Sequence, residues 1–184
     1  MGVTLAQLRR LNWGCGKSTA QGWLNSDRNP GPRVDVVGDI RHGLPLEDSS
    51  INYITSQHAL QEVPFPDLVL ALEELRRILK PDGVLRLVVP NLDRGIDAYL
   101  GGERDYFPVP DEDARSLGGK FIVHILWYSH SRIMFTFDFL EELLRKAGFR
   151  EAVRCGFRQT ASPYPEIVEL DERERESLFV EAIK

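Results

Sequence analysis

The passage from Leu8 to Trp13 into Gly14-Cys15-Gly16 constrains the fold most: a short strand-like run that ends directly on a tight, glycine-containing turn. Glycine at such a point lets the backbone turn sharply and lets a ligand come close to it. In an open α/β sheet, ligands sit outside the carboxyl ends of the strands, near the switch in strand order, so the residues at the strand ends are the ones to read. Three further runs supply strand ends. Trp23 to Asp27 finishes on a carboxylate, and Val34 to Gly38 is β-branched with Asp39 behind it. Ile51 to Ser56 follows the polar turn Glu47-Asp48-Ser49-Ser50.

Beyond these the pattern becomes helical. Asp67 to Leu79 carries apolar residues at Leu68, Leu72, Leu75, Ile78 and Leu79, close to helical spacing, and Lys80-Pro81-Asp82-Gly83 supplies a stop. Val84 to Val89 reads as a strand ended by Pro90, and Phe137 to Ala147 as a second amphipathic helix stopped by Gly148. Phe149 to Cys155 and Ser177 to Ala182 are the last two strands. Strands alternating with helices predict an α/β fold, a mostly parallel central sheet with helices on both faces. The early connections are short: Lys17 to Gly22 leaves room for little more than one helical turn, and Arg28 to Arg33, with Pro30, Gly31 and Pro32, is hardly a helix. Residues 100–135 form a long, weakly patterned stretch rich in Gly, aromatics and His, which predicts a lid or acceptor-binding insertion.

Composition narrows the setting. The 184 residues suit a single domain spanning 1–184, with 42% hydrophobic residues for a core and 28% charged residues for its surface. A net charge of −5 argues against nucleic acid as the partner. No run has the length of a signal peptide or membrane span. Two cysteines, Cys15 and Cys155, make neither a disulfide framework nor a four-ligand zinc site, so a reducing cytoplasm is the expected compartment.

Read from chemistry alone, Asn12, Gly14, Gly16 and Lys17 line the first strand end, where backbone N–H groups favour a carboxylate or phosphate. Asp27 is suited to a ribose diol, because a carboxylate accepts two hydroxyl hydrogen bonds. Asp39, with the backbone of Ile40, is suited to an adenine amino group. The nicotinamide fingerprint wants a third glycine and an acid about 20 residues on. This chain has Ser18 after Lys17 and an acid at Asp27, too early for that pattern, which disfavours a dinucleotide.

Taken as an ordered set, Leu11-Asn12-Trp13-Gly14-Cys15-Gly16-Lys17, Gly22-Trp23-Leu24-Asn25-Ser26-Asp27 and Gly38-Asp39-Ile40 with Gly43-Leu44-Pro45-Leu46 resemble a class I S-adenosylmethionine-dependent methyltransferase. Leu75 to Leu85, with Val88-Val89-Pro90-Asn91-Leu92, resembles that family's helix-to-strand passage, and the likeness resumes at His130 to Phe149 and at Ser177 to Ala182. Among its branches the chain is similar to a compact bacterial one associated with sugar or surface-polysaccharide pathways. The resemblance implies a Rossmann-like sandwich and S-adenosylmethionine as cofactor, with O-methylation of a small or saccharide-like acceptor. It implies cofactor contacts from Asn12, Gly14, Cys15, Gly16, Asp27, Asp39, Ile40, Ser56 and Gln57. By it, Gly14 and Gly16 border the methionine part, Asp27 takes the ribose, and Asp39 with Ile40 takes the adenine.

The chain departs from that family at Asn12, where an acid is usual, at Gln61-Glu62, where a Glu-His pair is common, and in its shortened first helix region. The first two keep open an alternative, a cofactor-binding or scaffold domain without turnover. His130, which matches a family position, and His58, just past the fourth strand, are the catalytic-side residues, His58 being equally suited to a structural hydrogen bond. His124, His130 and Asp138 fit no metal-site spacing, so no metal is expected. Trp127 and Tyr128 suit either covering of an acceptor ring or packing. Ser56-Gln57-His58 lacks the Asp/Asn-Pro-Pro-aromatic signature of enzymes that methylate nucleic-acid amino groups. The charged stretch from Glu166 to Glu176 reads as a solvated face, with Glu166 open to a pocket role.

Overall fold

A computed structural model of the chain describes residues 8–128 and 131–184. Its centre is one seven-stranded sheet made of β1 (Arg10–Trp13), β2 (Leu24–Asp27), β3 (Val36–Val37), β4 (Ile51–Gln57), β5 (Leu79–Pro90), β6 (Glu151–Cys155) and β7 (Ser177–Ile183). The spatial order is β3-β2-β1-β4-β5-β7-β6. β1 to β5 pair in parallel, and β7 runs antiparallel between β5 and β6. The switch in strand order falls between β1 and β4, so the crevice expected for a ligand opens beside Gly14 and His58.

The strand faces alternate as a pleated sheet requires. On one face Leu11, Trp13, Ile54, Leu85, Leu87, Val89, Leu178 and Val180 form the main core. That face is covered by α1 (Leu68–Ile78) and α4 (Phe137–Lys146). α1 inserts Leu68, Ala71, Leu72, Leu75 and Ile78, while α4 inserts Leu140, Leu143 and Leu144. These are the apolar stripes that the sequence spacing predicts. Gly148, at φ +86°, takes the left-handed turn that ends α4. On the opposite face Trp23, Tyr53 and Val84 pack beneath Ile167 and Tyr164, which belong to irregular chain containing a short 3-10 turn, Pro165–Val168.

Several boundaries differ from the sequence reading, each for a physical reason. The residues Lys80 to Gly83 were expected only as a stop, yet pairing of β5 with β4 begins at Leu79, before an irregularity that absorbs the turn. Asp82 carries it at φ +59°. Two helices had no sequence expectation. α2 (Leu92–Leu100) is capped by the Asn91 side chain, which accepts from the Arg94 N–H, and buries only Gly95 and Ala98. α3 (Leu117–Val123) is capped by Ser116 and runs on into a π-helical stretch, His124–Tyr128. Residues 100–135 are therefore partly ordered into helix. Among the described residues, no helix is long and apolar enough to cross a membrane.

Candidate functional site

The site is built at the switch point. Gly14 and Gly16 both adopt left-handed backbone, at φ +69° and +51°. A Cβ on Gly14 would stand 2.2 Å from that of Ala59, whereas one on Gly16 would meet nothing within 4 Å. Gly14 is thus fixed by close packing of the β1 turn against the turn after β4, and Gly16 opens onto free space. The loop between is held by its own donors: Cys15 N–H to the Ser26 carbonyl (3.0 Å), Gly16 N–H to Asp27 Oδ2 (2.9 Å) and Ser18 N–H to the Cys15 carbonyl (2.8 Å). The buried Asn12 amide reaches the Ser18 carbonyl at 3.0 Å and Asn25 Oδ1 at 3.2 Å.

A cavity of about 280 Å³ runs past these glycines, bordered by Trp13, Asp27, Asp39, Ile40 and His58. The Asp27 carboxylate accepts from Gly16 on one oxygen and from the Asn29 N–H (2.9 Å) on the other. Each oxygen has a second lone-pair site, so the pair can still accept from a vicinal diol. Asp39 is differently placed. It caps the turn Ile40–His42 by accepting from the Arg41 N–H, and it holds the Arg41 guanidinium bidentately at 2.5 to 3.1 Å. That hydrogen-bonded guanidinium keeps the Asp39 carboxyl well below the usual carboxylate range. Asp39 therefore lines the cavity as a carboxylate already paired with Arg41.

Two smaller cavities share lining residues with the first. One of about 230 Å³ lies on the far side of the glycine turn, bordered by Asn12, Cys15, Lys17, Gln57, Glu172 and Arg173. The other, about 170 Å³, is bordered by Asn91, Tyr106, His124, Met134, Arg173 and Glu176. His58 borders all three. Its backbone is left-handed (φ +50°), its N–H donates to the Val88 carbonyl, and its Nε2 lies 2.8 Å from Ser177 Oγ. Burial, with a smaller push from Arg173, lowers its pKa to about 4. Burial also lowers that of His124, against the pull of Glu176, whose carboxylate lies 3.9 Å away. The His58 ring is neutral near pH 7.

Asn12, Gly14, Cys15, Gly16, Asp27, Asp39, Ile40, Gln57 and His58 therefore line neighbouring cavities that share His58. Ser56 does not: it is 1% exposed within β4 and borders none of the three cavities, because successive strand residues point to opposite faces. Cys15 is a small buried wall, its thiol pushed up by burial and then by Asp27. His130 lies outside the described residues. Glu172 and Arg173 are exposed, as a solvated face predicts, but they and Glu176 also border these cavities, which the sequence reading missed. No local pattern marks them, because only the folding back of the segment after β6 brings them there. Glu166 sits in the 3-10 turn on the second sheet face and borders none of the cavities.

The sheet order, the single antiparallel strand and a ligand crevice at the β1/β4 switch together define a Rossmann-like, class I methyltransferase fold. Comparison with known proteins agrees with this. The family described as a methyltransferase domain matches residues 15–87, from the glycine turn to the middle of β5. A demethylmenaquinone methyltransferase of Lactobacillus johnsonii is 32% identical over 117 residues, covering 63% of this chain and 46% of that protein. A malonyl-[acyl-carrier protein] O-methyltransferase of Dechloromonas aromatica is 36% identical over 100 residues, covering 45% and 37%. A demethylmenaquinone methyltransferase of Staphylococcus haemolyticus is 29% identical over 143 residues, covering 69% and 56%. The matched stretches thus span between 37% and 56% of these relatives' own lengths. Among solved structures, a methyltransferase of Archaeoglobus fulgidus superposes with a TM-score of 0.57 at 15% identity, covering 96% of this chain and 86% of that one. The methyltransferase CalH, solved with S-adenosylhomocysteine, gives 0.55 at 16%, covering 96% and 51%.

Proposed function

We propose that the chain transfers a methyl group from S-adenosylmethionine to a small-molecule acceptor. The observation that carries this is the single cavity lined by Gly16, Asp27, Asp39, Ile40 and His58 together. The residues fit the donor. Asp27 retains acceptor capacity for a ribose diol, and Gly16 leaves the space that a side chain would fill.

In the transfer, the acceptor's electron pair forms a bond to the methyl carbon, the carbon–sulfur bond breaks, and its electrons return to sulfur as a neutral thioether. The sulfonium carbon is already activated, so the protein's task is to align the two partners and exclude water. The 170 Å³ cavity beside His58 is the acceptor side in this reading. A pKa of about 4 makes His58 a weak base at neutral pH, poorly matched to removing the proton of an aliphatic alcohol. His58 serves better as a neutral hydrogen-bonding wall of the acceptor side. The relatives compared are named for demethylmenaquinone and malonyl-[acyl-carrier protein], and none for a sugar, so the saccharide acceptor implied by the resemblance has no support from them.

The test is calorimetric titration of the wild type, Asp27→Asn and Asp27→Ala with S-adenosylmethionine and S-adenosylhomocysteine. Micromolar-range binding, roughly −8 kcal/mol, is expected for the wild type. Loss of a charged acceptor costs about 1.5–3 kcal/mol, which is tenfold or more in affinity for Asp27→Ala. A folded wild type that binds neither compound sinks the reading. A binding domain without turnover remains the second reading, favoured by the Asn12 amide being spent inside the loop. Transfer of a labelled methyl group to any acceptor excludes it.

A further inference from the structure

We propose that this chain grips the zwitterionic amino-acid head of its methyl donor with Glu172 and Arg173, two neighbouring residues of its C-terminal segment, a proposal that rests on the donor reading above. Several polar groups at the end of β1 are already committed within the loop. Asn12 stands there, and both contacts of its NH₂ are internal, to Ser18 and Asn25. The N–H groups of Cys15, Gly16 and Ser18 are likewise committed to Ser26, Asp27 and Cys15. An α-amino acid entering a partly dehydrated cleft needs a cation for its carboxylate and a strong acceptor for its ammonium, or it loses hydration without replacement.

The wall facing the glycine turn across the 230 Å³ cavity carries both. Arg173 is its cation and Glu172 its anion, and Lys17 adds a second cation from the glycine turn itself. Gln57, at the same wall, has its Oε1 buried with no hydrogen-bond partner among the described residues. Among the described residues Lys17 and Glu172 make no ion pair. Arg173 has only an exposed contact with Glu176 at 3.5 Å, of the kind that contributes little. Glu172 and Arg173 are adjacent, carry opposite charges and do not pair with each other. Arg173 also holds a left-handed backbone at φ +54°, a conformation that costs a non-glycine residue energy and tends to be kept at ligand clamps. The pair is not on a loose strand end. It follows directly on Asp171, which is 3% exposed and held bidentately by Arg86 at 2.6 and 2.7 Å.

Three probes separate the head group from the rest of the donor. S-adenosylhomocysteine carries the whole zwitterion, 5′-methylthioadenosine lacks it, and decarboxylated S-adenosylmethionine keeps only the amine. Calorimetry on the wild type, Glu172→Gln and Arg173→Gln is expected to show about tenfold or greater loss of S-adenosylhomocysteine affinity in each variant. Methylthioadenosine affinity should stay within about twofold of wild type. Arg173→Gln should leave the decarboxylated compound unaffected, whereas Glu172→Gln should weaken it. Both residues are exposed, so the variants should keep the wild-type fold, which circular dichroism checks. Unchanged S-adenosylhomocysteine affinity in both variants, or equal losses on all three probes, overturns the proposal. Absence of binding by the wild type to every probe overturns the donor reading itself.

Discussion

At the scale of single residues, the two glycines of the β1 turn separate packing from ligand contact. Both have left-handed backbone, which costs a Cβ-bearing residue roughly 1–2 kcal/mol. Only at Gly14 does the added methyl also meet Ala59, at 2.2 Å, a distance no real pair of carbons adopts. Gly14→Ala should therefore lose several kcal/mol more stability in urea than Gly16→Ala, about 3 kcal/mol or more if the two turns must part. Gly16→Ala should keep most of its stability and lose donor affinity instead, since its methyl projects into open cavity. Equal melting temperatures for the two variants would contradict the close approach. His58 offers a second residue-scale prediction. Its neutral form is favoured in the fold, so between pH 6.5 and about 4 the unfolded chain takes a proton that the folded chain refuses. That contribution is whole above pH 6.5 and is lost as pH falls toward 4, up to about 3 kcal/mol for the full shift. Asparagine tolerates the same left-handed backbone. His58→Asn should consequently show a smaller drop in unfolding free energy between pH 7 and pH 4.5 than the wild type, by about 2 kcal/mol. Parallel pH profiles would rule out His58 as the source.

Among elements, those legible in the sequence were the ones whose burial repeats. α1 and α4 bury Leu72, Leu75, Leu140 and Leu144 at helical spacing against one continuous core, and their ends carry Pro81 and Gly148. The strands end on Asp27 and Asp39, and the site could be read from those ends. α2 was illegible because it buries only Gly95 and Ala98, so no apolar stripe marks it; its capping residue, Asn91, was the one local sign. α3 begins with two adjacent glycines, Gly118 and Gly119, which argue against a helix locally, and only packing such as the Tyr99–Phe121 ring stack overrides them. Asp39 shows a different limit: its position at the cavity was readable, but its capture by Arg41 depends on a turn geometry that spacing does not specify. The contribution of Glu172 and Arg173 was hidden for a related reason. They reach the site only because the segment after β6 folds back across the sheet, a long-range fact with no local signature.

The whole molecule depends on what holds that segment down. Arg86, at the centre of β5, is fully buried, and all five of its N–H donors have acceptors. Nε and Nη2 hold Asp171 (2.7 and 2.6 Å), Nη1 holds Glu181 of β7 (2.8 Å), and the carbonyls of Gln159 and Gly156 take the remaining two (3.0 and 3.1 Å). The two carboxylates receive further donors from the N–H groups of Arg158 and Ala161. Burial alone would favour the neutral guanidine, but Asp171 and then Glu181 outweigh it and keep Arg86 charged. One side chain thus ties β5, the antiparallel strand β7 and the chain covering the second face, and it fixes the residue before Glu172. Arg86→Met leaves two carboxylates buried without their cation, for which about 3–5 kcal/mol of destabilisation is expected, a large share of an ordinary domain's stability. Replacing the whole cluster, as Arg86→Met with Asp171→Asn and Glu181→Gln, removes the stranded charges and should recover part of that loss. Urea unfolding of the two variants measures the difference directly. A single variant within about 1 kcal/mol of wild type would mean that the second face is held by its aromatic packing and not by the arginine. If the cluster does hold it, the triple variant should refold yet bind S-adenosylhomocysteine more weakly than wild type, because Glu172 and Arg173 lose the anchor that sets them beside the glycine turn.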